Sequence, residues 1–123
     1  MTPRGNLLIA EDEEAIVHWM GLALPRLGYA VRITRTARET LDVFEREPQW
    51  PSALLLDLTF PDGSGFEVFH RARALRPDLP VLVMSGTADV DSLAPLESAG
   101  ARFVWKPFGL PDLRAALERL PER

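Results

Sequence analysis

Five short apolar runs punctuate the chain: Leu7–Ala10, Ala30–Thr34, Ala53–Leu56, Val81–Met84 and Ala101–Trp105. Three are almost uninterrupted, the pattern of parallel strands covered on both faces. Longer amphipathic segments alternate with them: Glu13–Leu27, Ala37–Glu47, Gly65–Leu75, Ala88–Ala99 and Leu110–Leu120. In the third of these, apolar Phe66, Val68 and Phe69 stand beside polar Glu67, Arg71 and Arg73, which is helical spacing. Helix stops follow in place, with Gly28, Pro48, Pro77 and Gly100 behind the first four segments. The alternation predicts an α/β fold, a doubly wound parallel sheet with helices on both faces. No repeat, linker or low-complexity tract interrupts the five βα units, so residues 1–123 are expected to form a single domain.

Composition removes several chemistries. With no cysteine among 123 residues, disulfides, thiolate nucleophiles, zinc–cysteine sites and iron–sulfur clusters are excluded. His18 and His70 are far apart and fall within helical patterns, which argues against a histidine metal site. A net charge of −4 argues against direct nucleic-acid binding, whose footprint would be basic. The apolar stretches fall short of the roughly 20 residues that a membrane span needs, and the run after Asn6 is too short for a signal-peptide core. A cytoplasmic protein is the expectation. Proline, 11 of 123, is nearly twice average usage.

In open parallel sheets, ligands bind outside the carboxyl ends of the strands. The first strand ends in Glu11–Asp12, the third in Asp57, the fourth in Ser85 and the fifth in Lys106. Singly, each has an ordinary explanation: a turn former, a helix cap, or a solvated lysine before proline. Their convergence on one edge is what those readings leave unexplained. Three carboxylates brought together raise one another's pKa unless a cation intervenes, and Mg²⁺, with its taste for a few carboxylates, a carbonyl and waters, is the natural one. A divalent cation beside a carboxylate, a hydroxyl and an ammonium is equipment for phosphoryl transfer. Glu11–Asp12–Glu13–Glu14 stands where a glycine-rich phosphate loop would be, so a bound nucleotide is disfavoured. The transferred group is expected to land on an aspartate, with Asp57 the candidate nucleophile.

These residues resemble the receiver (CheY-like) domain of bacterial two-component response regulators, over essentially the whole chain. The motifs are Leu7-Leu8-Ile9-Ala10-Glu11-Asp12-Glu13; Leu54-Leu55-Leu56-Asp57-Leu58-Thr59-Phe60-Pro61 with Gly65; Val81-Leu82-Val83-Met84-Ser85-Gly86; and Lys106-Pro107-Phe108. The resemblance implies a flavodoxin-like sheet of order 2-1-3-4-5. It implies that Asp57 is the phosphoacceptor, taking phosphate from a sensor histidine kinase or histidine phosphotransfer protein. Asp12 and Asp57 would bind Mg²⁺ (or Mn²⁺) directly, with the Thr59 backbone carbonyl, and Glu11 through water. Ser85 would meet the phosphoryl oxygens, Lys106 would pair with Asp57 and then its phosphate, and Phe103 would be the aromatic switch. Thr59 and Thr87 would tune the phosphate's lifetime. Output would pass through the face of the fourth helix, fifth strand and fifth helix, to a downstream protein or effector domain or, on phosphorylation, a second copy. No turnover of an external substrate is expected. The alternatives are a pseudo-receiver that binds partners without phosphorylation and, more remotely, a small aspartyl-phosphate hydrolase like those of the haloacid dehalogenase superfamily. The third-strand position of Asp57 and the lack of room for a cap speak against the hydrolase.

Some residues depart from the family pattern. Phe60 stands where methionine is commoner, and Phe103 lacks the hydroxyl of the common tyrosine. Pro95 lies inside the expected fourth helix, and only 20 residues separate Ser85 from Lys106; that helix is expected to be distorted or to start late, near Pro95. Pro25 is expected to kink the first helix near Gly21. Trp105 shares strand parity with Phe103, so both should lean toward the fourth-and-fifth-helix face, as ordinary packing or as part of a docking patch. Trp19 and Trp50 read as core or loop anchors. Arg71, Arg73 and Arg76 read as a solvated helix face, and Asp62 and Gly63 as a turn without chemistry.

Overall fold

A computed structural model describes residues 4–86 and 90–121. In chain order the elements are β1 (Asn6–Ala10), α1 (Glu14–Arg26), β2 (Ala30–Thr34), α2 (Ala37–Arg46), β3 (Ala53–Asp57), β4 (Thr59–Phe60), β5 (Gly63–Ser64), α3 (Gly65–Leu75), β6 (Val81–Ser85), α4 (Val90–Ser98), β7 (Arg102–Trp105) and α5 (Leu110–Glu118). The main sheet is parallel with order β2-β1-β3-β6-β7, the doubly wound arrangement predicted from the alternation. Its third, fourth and fifth strands in chain order are β3, β6 and β7. The pair β4–β5 is a separate small hairpin, antiparallel with Thr59 opposite Ser64 and Phe60 opposite Gly63. No apolar run announces it; its two-residue turn is Pro61-Asp62.

The uninterrupted runs fill the middle. Leu54, Leu55 and Leu56 are all fully buried, and each such side chain contributes roughly 1.5–3 kcal/mol relative to exposure. Alternation along the strands divides the core. Leu8, Leu54, Leu56, Val81 and Val83 face α2, α3 and α4, whereas Leu7, Ile9, Leu55, Leu82 and Met84 face α1 and α5. Phe103 belongs to the first side and Val104 to the second. The expected lean of Phe103 toward both last helices therefore narrows to the α4 side.

The expectation that Pro95 delays the fourth helix is corrected. α4 begins at Val90 and runs unbroken to Ser98, so it does not start late near Pro95. Buried Leu93 and Leu96 hold the helix down, while Pro95 and Asp91, whose carbonyl loses its donor, are exposed, where water can substitute. α1 contains Pro25, as expected, and ends one residue later at Arg26, so the proline sits in its last turn. There the amides of Gly28 and Tyr29 bond back to Pro25 and Leu24, with Gly28 at φ +99°. This is the glycine-closed helix end that the sequence suggested.

The arginines of α3 also differ from expectation. Arg71 is exposed near Glu45, but Arg76 is buried and donates to the carbonyls of Pro48 (2.7 Å) and Pro51 (2.8 Å). Arg73 donates to Leu79 (2.8 Å) and to Ala99. Two of the three are internal ties rather than a solvated face.

Candidate functional site

Strand register sets the site. β1 and β3 are aligned so that Ala10 lies beside Leu56, and β3 and β6 so that Asp57 lies beside Met84. Glu11 and Asp12 after β1, Asp57 at the end of β3 and Ser85 at the end of β6 therefore emerge at one edge. The Lys106 amide donates to the Ser85 carbonyl (2.7 Å), which extends the β6–β7 pairing by one residue and fixes the base of the lysine there. The Lys106–Pro107 peptide is cis. A glycine is needed beneath Asp57. The Gly65 amide donates to the Leu58 carbonyl, and a Cβ on Gly65 would stand 2.3 Å from the Asp57 carbonyl oxygen.

The carboxylates of Glu11, Asp12 and Asp57 offer ligand atoms that all lie within 4.8 Å of one another. Lys106 Nζ sits 2.8 Å from Glu11 Oε1, 3.5 Å from Asp57 Oδ2 and 3.6 Å from Glu13 Oε2. Its nearest partner is thus Glu11, not the Asp57 that the family resemblance singles out. Asp57 Oδ1 accepts from the Leu58 amide at 2.7 Å, which leaves Oδ2 facing the lysine.

Glu11 is fully buried, an unusual place for a carboxylate. Its Oε2 accepts from the Glu13 amide (3.1 Å), while Oε1 has the Lys106 ion pair but no well-formed hydrogen bond among the described residues. Burial pushes its pKa up, and Asp57 adds to that; Lys106 and the Glu13 amide pull the other way without cancelling it. For Lys106 burial is the largest single influence and favours the neutral form, but Glu11, Asp57 and Glu13 together outweigh it, so its pKa is raised. A buried carboxylate oxygen short of donors, inside a trio of carboxylates, fits a hard oxygen-seeking divalent cation.

The other expected residues are less central. Ser85 is buried, at 3% exposure. Thr59 is exposed in β4, where its backbone pairs with Ser64. Phe103 is half-buried and stacks on Trp105, with centroids 5.7 Å apart and planes 10° apart; Trp105 itself is 49% exposed. Thr87 lies outside the described residues. His18 and His70 are exposed and away from the strand ends. Trp19 meets Phe108 edge to face, and Trp50 lies under the Arg32 guanidinium. A cavity of about 540 Å³ adjoins the site between α1 and the loop after β7, lined by Ile16, Trp19 and Phe108 with Glu13 and Lys106. A cavity of about 570 Å³ near Arg4 and Tyr29 lies at the opposite edge of the sheet, away from the carboxylates.

Two residues escaped the sequence reading. Glu13 reaches Lys106, a pairing that no local signal announces. Asp62, in the β4–β5 turn, caps α2 from outside by accepting from the amides of Ala37 (2.8 Å) and Arg38 (3.0 Å), and these bonds hold its pKa below the usual aspartate value.

A doubly wound parallel sheet with an acid trio and one lysine at its carboxyl edge places the protein among the α/β doubly wound folds. Within that class the assignment is specific. The profile of the response regulator receiver domain matches residues 7–118, and the chain belongs to that family. It is 33% identical over 121 residues to the transcriptional regulatory protein CreB of Escherichia coli, covering 98% of this chain and 52% of CreB. It is 32% identical over 117 residues to the DNA-binding transcriptional regulator NtrC of Bradyrhizobium, covering 90% of this chain and 23% of that protein. The chain therefore spans about half or less of these relatives. Among solved structures it resembles a CheY-like receiver domain protein of Methanospirillum hungatei, with 30% identity, a TM-score of 0.85 and coverage of 93% and 90% of the two chains. Receiver domains of this family are signalling domains of two-component systems.

Proposed function

We propose that this receiver is a phosphorylation-controlled switch whose phosphoacceptor is Asp57. The observation that carries the reading is the placement of the Asp57 carboxylate within an acid trio suited to a divalent cation, 3.5 Å from the Lys106 ammonium. An Asp57 oxygen attacks the phosphorus of a phosphohistidine on a histidine kinase or phosphotransfer protein. The P–O bond forms as the P–N bond breaks, and the electron pair returns to the imidazole. Asp12, Asp57 and the Thr59 carbonyl would hold Mg²⁺ or Mn²⁺, with Glu11 acting through water. The ion supplies neutralisation of charge on the transferring oxygens.

The protein's own groups do the rest. The Leu58 amide fixes the Asp57 rotamer, so the attacking group is already oriented. Lys106 swings from the carboxylates to the phosphate, and the buried Ser85 hydroxyl turns to donate to a phosphoryl oxygen. Phe103 then follows Ser85, and the face of α4, β7 and α5 changes for a downstream protein, an effector domain or a second copy to read. Thr59 and Thr87 tune the phosphate's lifetime. The setting is the cytoplasm.

Incubation with acetyl phosphate and Mg²⁺ is expected to add one labile phosphate by intact mass, and none to Asp57→Asn. No adduct with either metal would favour a receiver that works without phosphorylation. Rapid hydrolysis of unrelated phosphate esters would favour a hydrolase.

A further inference from the structure

The acids that open α1 are not equivalent. Glu11 is buried against Lys106, and Glu14 pairs with Arg35. Glu13 occupies the N-cap of α1, yet its side chain makes no cap hydrogen bond. The corresponding residues of α2 and α3 behave differently, since Thr36 accepts from the Glu39 amide and Ser64 from the Phe66 amide. Glu13 turns instead across the mouth of the site, its Oε2 3.6 Å from Lys106 Nζ, and remains 58% exposed. A divalent cation and Lys106 together offset three of the four carboxylates gathered here, counting Glu11, Asp12, Asp57 and Glu13. One carboxylate is then left uncompensated, and Glu13, more than half exposed, lies beside Lys106.

We propose that Glu13 is a specificity-determining residue that screens phosphodonors by charge, its carboxylate beside Lys106 disfavouring highly anionic small donors. The inference rests on Asp57 as phosphoacceptor and concerns which donors reach it. With acetyl phosphate, an Asp57 oxygen bonds to phosphorus as the bond to the acetyl oxygen breaks, and acetate leaves with the electron pair. With phosphoramidate, the P–N bond breaks and ammonia leaves with the pair. The protonated nitrogen gives phosphoramidate a smaller net negative charge than acetyl phosphate near neutral pH. One carboxylate at the rim therefore repels the two donors unequally.

The test compares rates of adduct formation by intact mass at saturating Mg²⁺ with both donors, for wild type, Glu13→Gln and Glu13→Asp. Glu13→Gln is expected to accelerate acetyl phosphate about fivefold and phosphoramidate about twofold, with the difference shrinking in 1 M salt. Glu13→Asp keeps the charge and is expected to keep the wild-type ratio. A purely local role at the helix cap would move both donors alike, so an unchanged donor ratio in Glu13→Gln, with the wild type phosphorylated normally, overturns this inference alone. Absence of any adduct on the wild type with both donors overturns the phosphoacceptor reading and this inference together.

Discussion

The two edges of one sheet treat their polar side chains in opposite ways. At the amino edge, arginines end on backbone carbonyls: Arg76 on Pro48 and Pro51, Arg73 on Leu79 and Ala99. These guanidiniums tie down loop carbonyls, that of Pro51 in a buried bond, and the charge serves the fold. At the carboxyl edge, Glu11, Glu13 and Asp57 surround a single ammonium with Asp12 beside two of them, and the most buried keeps an oxygen without a well-formed hydrogen bond among the described residues. Polar groups satisfied by their own backbone are structural. Like charges held together against their mutual repulsion point to a ligand that arrives from outside.

The contrast is sharpest where the carboxyl edge depends on backbone rather than charge. Gly65→Ala places a methyl group 2.3 Å from the Asp57 carbonyl oxygen and 2.5 Å from the Leu58 Cα. Backbone atoms cannot step aside as a side chain can, so the expected loss of stability is about 3 kcal/mol or more, read by urea denaturation. A folded variant is expected to phosphorylate slowly as well, because the same shift moves Asp57. A variant as stable as the parent would mean that α3 does not press on the site.

Next in size is the amino edge. Arg76→Met keeps much of the apolar stem but leaves the Pro48 and Pro51 carbonyls without their donor. The expected cost is about 2–3 kcal/mol in urea, with the rate of phosphorylation by acetyl phosphate unchanged under folding conditions. A lowered rate at unaltered stability would contradict the division between the edges.

Asp12→Asn should have the opposite sign. Removing one charge from the carboxylate cluster is expected to raise the metal-free melting temperature at low ionic strength, and to do so less at high salt. Wild type should gain about 2.7 kcal/mol from Mg²⁺ at a hundred times its Kd, and Asp12→Asn much less at the same concentration. A variant that is more stable without metal and less stabilised with it is the signature of a site kept at the expense of the fold. If Asp12→Asn melts below wild type without metal, the crowding argument is wrong.

These differences also explain what could be read from the chain alone. The strands β1, β3 and β6 were legible because each is a run of apolar residues whose partners matter less than their burial; Leu54–Leu56 would be internal in any doubly wound sheet. The edge residues were legible because strand direction alone delivers Glu11, Asp57, Ser85 and Lys106 to the same side. The partner of Lys106 was not, since which of several carboxylates lies nearest depends on tenths of an ångström in packing. Arg76 misled for a related reason. It follows Arg71 and Arg73 on a helical pattern, but its acceptors belong to the loop before β3, which only tertiary structure brings near. The hairpin β4–β5 escaped because it has two residues per strand and no apolar run.

The smallest expected effect probes the comparison most finely, because Asp62 stands at the carboxyl edge yet behaves like the arginines of the other one. Its carboxylate is spent on the Ala37 and Arg38 amides, where it also meets the positive end of the α2 dipole. Those bonds favour the charged form, so the folded pKa lies below the unfolded one. The associated stability is therefore present above the unfolded aspartate value and is lost as pH falls through the lowered folded value. Asp62→Asn is expected to melt slightly below wild type at neutral pH, and the gap should close on acidification through that window, with Mg²⁺ binding unchanged at neutral pH. A gap that persists when the carboxyl is protonated would show that the α2 cap does not depend on charge. A loss of Mg²⁺ affinity would move Asp62 from the acids that serve the fold to those that serve the ligand.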